Sequence, residues 1–206
     1  MTKTLKKIVR RIKNLHVSLA QLTSSWNKVR RELWAMGFLV ADSPLDEVEC
    51  FLEPPWTSGG IRGLGKVMGL YYPMSMEGGD GNIHVPAICS AAILGYEPRI
   101  MVDVLRHEYG HALEDKYPRY FHGREFKRAF GKEYGTERSG VEEADHFVSG
   151  YAMTATQEDF AETFMYYMKY KGEIPKKWAD NLAICGKWSF IDGLRVKISK
   201  QIKEQS

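Results

Sequence analysis

Three cysteines in 206 residues, Cys50, Cys89 and Cys185, are odd in number, widely spaced and never in a Cys-x-x-Cys pair. That argues against a disulfide framework and against a thiolate zinc site, and it suits a reducing compartment. No stretch approaches 18 consecutive apolar residues, and the charged segment from Lys3 to Lys13 is not followed by an apolar run of signal-peptide length. No membrane span is expected, and the localisation that follows is cytoplasmic, or export without a classical signal peptide. The glycines fall in turn clusters such as Ser58-Gly59-Gly60 and Gly78-Gly79-Asp80-Gly81, with no Gly-Lys-Ser or Gly-x-Gly-x-x-Gly pattern, so they form no phosphate cradle. Acidic residues are missing from the first 31 positions, which hold nine basic ones (Lys3, Lys6, Lys7, Arg10, Arg11, Lys13, Lys28, Arg30, Arg31), while the remainder carries 20 basic and 26 acidic groups. The near-neutral total of +3 therefore conceals a basic arm on an acidic body.

What is present is enough apolar material, 44% hydrophobic and 12% aromatic, for one substantial core. Leu5, Ile8, Ile12, Leu15, Leu19, Leu22, Trp26, Val29, Leu33 and Met36 recur in alternating steps of three and four, a helical stripe ended by Gly37. Residues 1–40 thus read as a basic amphipathic helical segment and residues 41–206 as the body of the fold. Thr23-Ser24-Ser25 is a place where the helix could divide. Three readings of this segment stand: a helix laid against the body with its basic face in water, which is favoured; a coiled-coil seam with a second copy; and a surface for nucleic acid or anionic lipid. Nucleic acid is not expected, because no motif accompanies the charge. Monomer is the default state, with a dimer through this helix as the alternative.

From Asp42 to Pro86 short extended segments alternate with turn formers. Val48–Leu52, Lys66–Tyr72 and Asn82–Val85 read as strands of a small, mostly antiparallel sheet. Pro86 suits an edge strand or a strand terminus better than a central position. His84 reads as an ordinary outward-facing residue, with a place near the cleft as the alternative. Helices then dominate. Pro98 opens one that Pro118 terminates, Phe126 and Phe130 mark a short second, and Thr156-Gln157-Glu158-Asp159 gives a capping-box-like start to a third that Gly172 and Pro175 end. Trp188, Ile191, Leu194, Ile198 and Ile202 line the buried side of a last amphipathic helix. The class is α+β with a helical C-terminal half.

The Pro98 helix carries His107-Glu108-Tyr109-Gly110-His111. At 3.6 residues per turn the two histidines lie about 40° apart and Glu108 about 100° from His107, so all three share one face. Two imidazoles so placed can hold a zinc ion, and the carboxylate beside the first can reach a water on the metal without ligating it. A hydrolytic zinc needs a third protein ligand. A histidine six residues after His111 would serve, but Tyr117 stands there. Glu133 and Glu137 fall out of motif, whereas Glu158-Asp159-Phe160-Ala161-Glu162 offers one carboxylate in the first turn of a helix and another one turn later. Ala161 is small enough to let two helices approach. Asp103 and Asp115 are candidates to orient an imidazole, with a solvated helix face as the simpler reading. His122 reads as a surface or capping histidine.

His107-Glu108-Tyr109-Gly110-His111-Ala112, then Tyr151-Ala152-Met153-Thr154 and Glu158-Asp159-Phe160-Ala161-Glu162-Thr163-Phe164, resemble the catalytic domain of anthrax toxin lethal factor and related gluzincin metallopeptidases over about residues 100 to 168. The resemblance does not cover the N-terminal 45 residues. It implies a zincin-like fold, a Zn²⁺ held by His107, His111 and Glu158, and Glu162 orienting the first histidine from behind. It also implies that Tyr151 faces the metal and assists the transition state. A two-residue Ala155-Thr156 step stands where the family often has Thr-Asn, changing the cap but not the spacing. The expected activity is peptide-bond hydrolysis on a polypeptide substrate with Glu108 as general base. An extended substrate would be held along the strand at Ile83, His84 and Val85. The alternatives are a non-catalytic zinc-binding interaction module or degenerate protease homologue, and a metal hydrolase acting on something other than a peptide.

Overall fold

A computed structural model of the chain describes residues 19–53, 69–86, 98–138 and 143–205. Within these, five helices and three short strands form an α+β fold: α1 (Leu19–Ala35), β1 (Cys50–Glu53), β2 (Leu70–Tyr72), β3 (Asn82–Pro86), α2 (Pro98–Lys116), α3 (Arg124–Phe130), α4 (Thr156–Lys169) and α5 (Leu182–Gln205). No described helix is long and apolar enough to cross a membrane.

Apolar periodicity explains which face each helix buries. In α1, Leu22, Ser25, Val29 and Leu33 point inward, the helix runs through Thr23-Ser24-Ser25 without a break, and Gly37 at φ +78° closes it as a left-handed residue that a side chain would strain. Trp26 stacks on Tyr109 of α2 with ring centroids 5.2 Å apart, and Glu32 accepts two hydrogen bonds from Arg106, at 2.8 and 2.9 Å. Over these residues the stripe belongs to the body's own core, while its first half, residues 1–18, lies outside the described residues. In α5 the buried side is Trp188, Ile191, Leu194, Ile198 and Ile202, as the spacing predicts. α3 contributes Phe126 and Phe130, stacked at 4.6 Å, to an aromatic group with Phe121, Phe160 and Phe190.

The sheet differs from expectation in two ways. Its order is β1-β3-β2, with β2 antiparallel and β1 parallel to β3, so it is mixed, not mostly antiparallel. β3 is central, not an edge; Pro86 stands at the strand terminus, the other place its sequence allowed, where its missing N–H falls at the last rung of the ladder. The correction carries to function. Ile83 and Val85 are fully buried, and His84, on the opposite face, is engaged by Glu53 at 2.5 Å and Asp80 at 2.9 Å, so an extended substrate has no free edge to pair with at these residues. The strand at the other end of the described sheet nearest α2 is β2. Tyr71 of β2 ties the two together twice: its phenol donates to Asp115 at 2.6 Å and its backbone N–H donates to Glu108 at 2.9 Å.

Candidate metal centre

Two helices cross at the site, and two small residues let them. A Cβ on Gly110 of α2 would sit 2.8 Å from the Cα and 3.2 Å from the Cβ of Ala161 in α4, so the backbones approach as closely as glycine permits. α2 presents His107, Glu108 and His111 on the face toward this crossing, and α4 presents Glu158 and Glu162 from its first two turns. The expected cap of α4 is corrected: Ala155 is the N-cap and makes no side-chain bond. Thr156, buried at the first helical position, instead donates to the Glu133 carbonyl at 2.7 Å and accepts from the Thr136 N–H at 3.0 Å, pinning the helix start to the preceding loop.

The three donor atoms converge. His107 Nε2 lies 3.2 Å from His111 Nε2 and 3.2 Å from Glu158 Oε2, and His111 Nε2 lies 3.6 Å from the same oxygen. Ligands at about 2.0 to 2.1 Å from a tetrahedral zinc are about 3.3 Å apart, so the residues present fit the ion. Glu158 Oε2 is buried and has no hydrogen bond of sound geometry, which a polar atom tolerates only where something else meets it. Burial pushes the His107 imidazole down, but the Glu158 and Glu162 carboxylates beside the ring and the charge of Glu108 outweigh it and raise the ring to about 10. Burial likewise works to raise Glu158, and the two histidines overcome it and hold the carboxylate far below its usual range.

Behind His107, its Nδ1–H donates to Glu162 Oε1 at 2.9 Å, which turns Nε2 toward Glu158. His111 Nδ1 faces the Tyr134 hydroxyl at 3.5 Å. Tyr151 stands on a 3₁₀ turn (Tyr151–Met153) with its ring 5.7 Å from the His107 ring, and it is 54% exposed. Burial of its inner side and the charge of Glu158 push its phenol up to about 12, so it remains a hydrogen-bond donor at neutral pH. A cavity of about 360 Å³ opens beside Glu108 and Tyr151, walled by Gly69, Leu70, Ile100, Val104 and Met165. A Cβ on Gly69 would meet Val104 at 2.7 Å and Glu108 at 3.2 Å.

The site residues read from the sequence, His107, Glu108, His111, Tyr151, Glu158 and Glu162, come together; Ile83, His84 and Val85 do not. Asp103 is occupied by Arg106 and Lys169, each at 2.6 Å, and Asp115 by Tyr71, so neither orients an imidazole. Glu133 pairs with Lys127 in solvent, and the His107, His111 and Glu158 cluster, buried at His107 and half-buried at the other two, includes neither it nor Glu137. Sequence reasoning missed Gly69, Tyr134 and the Tyr71 N–H, which no local pattern marks. It also missed Ser149, whose position three residues before a turn N–H is a readable serine-turn signal. It missed as well the buried charges of Arg138 and Lys187, which meet Asp159 at 3.0 and 2.8 Å beside Glu158. Comparisons of the chain with protein-family models, with curated proteins and with solved structures give no match, and the functional reading rests on the geometry of the site itself.

Proposed function

We propose that this chain is a zinc-dependent endopeptidase of the gluzincin kind, with a zincin-like fold and a likeness to the lethal factor catalytic domain in the residues that carry the chemistry. The observation that supports it most is the triangle of His107, His111 and Glu158 donor atoms with sides of 3.2 to 3.6 Å, on two helices that meet at Gly110 and Ala161. Zinc held there would polarise the scissile carbonyl and make a water acidic enough to attack at neutral pH.

The chain's own residues do the rest. Glu108, aligned by the Tyr71 N–H on one oxygen, accepts the proton of the attacking water and delivers it to the leaving amine. Tyr151, protonated at neutral pH and about half open to solvent, donates to the oxyanion. The Tyr71 N–H leaves β2 on the side toward α2 and fixes Glu108 beside the apolar cavity, where Leu70 and its neighbours receive a side chain next to the scissile bond. Leu70 and the cavity, on the β2 side of Glu108, take the place that the sequence alone suggested for Ile83, His84 and Val85.

Replacing Glu108 by Gln tests the reading. Zinc stoichiometry should stay near one while cleavage of an unfolded polypeptide falls by about 10²- to 10⁴-fold, the usual contribution of a general base. Cleavage persisting in that variant would refute the mechanism. A wild-type protein that binds zinc and cleaves nothing would instead favour a non-catalytic zinc module, and cleavage confined to non-peptide esters or amides a different hydrolase.

A further inference from the structure

Glu162 joins two hydrogen bonds whose direction is fixed by chemistry. An ionised carboxylate only accepts, so His107 Nδ1 donates to Oε1 at 2.9 Å and the Ser149 hydroxyl donates to Oε2 at 2.6 Å. Ser149 has one proton. With that proton on Glu162 its oxygen can only accept, and it does so from the backbone N–H of Ala152 at 3.1 Å. The Tyr151 carbonyl belongs to the same peptide unit as that N–H, and it accepts from the Thr154 N–H at 3.1 Å and the Thr154 hydroxyl at 2.8 Å. The peptide unit that follows Tyr151 is thus clamped at both ends. Tyr151 is 54% exposed and its ring meets the His107 ring on one side, so the backbone beneath it has a part in its direction.

We propose that Ser149 is a positioning residue that links the His107 ring, through Glu162, to the peptide unit bearing Tyr151, so that one hydrogen-bonded chain places both the metal ligand and the phenol. What Tyr151 does once placed rests on the metallopeptidase reading; the chain of hydrogen bonds does not. A hydroxyl that merely capped the turn would steady Ala152 without affecting the metal, whereas this one has a second bond that reaches a ligand.

The test uses the full chain with Ser149→Ala and with Ser149→Thr, which keeps the hydroxyl. Three quantities are read: zinc affinity of the metal-free protein by chelator competition, amide exchange at Ala152 by NMR, and peptide turnover with and without Tyr151→Phe. Ser149→Ala should weaken zinc binding about 10-fold, in the range for losing an outer partner of a ligand, and should speed exchange at Ala152 by about 10-fold. It should also lower kcat with little change in KM, and this loss should vanish when Tyr151 is already Phe. Ser149→Thr should restore zinc affinity and protection. Unchanged zinc affinity or unchanged exchange in the Ala variant overturns the proposal, as does a well-folded Thr variant that restores neither. Losses that simply add to those of Tyr151→Phe overturn the link to Tyr151. If the wild type binds zinc but turns over no peptide, the enzymatic reading fails, and zinc affinity and exchange alone decide the role of Ser149.

Discussion

Gly110→Ala puts the helix crossing under the sharpest test, because two opposing effects of known size act at one atom. In an isolated helix the change would stabilise by about 1 kcal/mol, since alanine is the better helix former. Here the new methyl would lie 2.8 Å from the Ala161 Cα, whereas carbon atoms rest at about 3.5 to 4.0 Å, so α2 and α4 must part by roughly 0.7 Å or more. Overpacking of that kind costs about 1 to 3 kcal/mol, leaving the metal-free protein destabilised by only about 0 to 2 kcal/mol once propensity is counted. The effect on the metal is larger in proportion. Glu158 is carried by α4 and the histidines by α2, and ligand distances tolerate only about ±0.2 Å. Zinc affinity should therefore fall by about 10- to 100-fold, out of proportion to the change in thermal stability. Chelator competition and a melt of the metal-free protein measure the two sides. Zinc affinity within twofold of wild type, in a protein whose melt is unaltered, would refute the idea that this close approach sets the ligand geometry.

Two further outcomes follow from groups away from the crossing. Asp159 is fully buried against Arg138 and Lys187, so Asp159→Asn weakens its charge-assisted bonds to both and should cost about 1.5 to 3 kcal/mol, seen in denaturant unfolding; a loss under about 0.5 kcal/mol would contradict it. Burial, with a contribution from Glu108, pushes the Cys50 thiol up to about 12. Its folded value lies above its unfolded one, so the thiol stabilises below pH 9 and that stability is lost as pH rises through 12. Native Cys50 should accordingly resist iodoacetamide at pH 8, and its labelling should accelerate about tenfold per pH unit above that; rapid labelling at pH 8 in the folded protein would contradict the assignment.

The legibility of this chain in its sequence follows the range of the interactions involved. Helical periodicity is local, so α2, α4 and α5 and the shared face of His107, Glu108 and His111 could be read from spacing, and the small residue at Ala161 hinted at the crossing. Strand order is not local. The parallel pairing of β1 with β3 joins Cys50 to Ile83, and no pattern within either segment discloses it, so Pro86 alone does not separate an edge strand from a strand terminus or bring β2 beside Glu108. Thr156 followed the rule for a cap, but its hydroxyl found the Glu133 carbonyl and the Thr136 N–H in the preceding loop, and those partners decided its place. Tyr134 meets the histidine and Ser149 the glutamate behind the site through the chain's return path, and of these contacts only the local bond of Ser149 to the Ala152 N–H has a readable spacing.

X-ray absorption at the zinc edge of the zinc-loaded protein tests the central claim most directly. The account predicts two imidazoles and one carboxylate oxygen, with one further light atom from solvent, all at about 2.0 to 2.1 Å, and loss of the carboxylate contribution in Glu158→Ala. A sulfur ligand at about 2.3 Å, four protein ligands, or a spectrum indifferent to Glu158→Ala would contradict it.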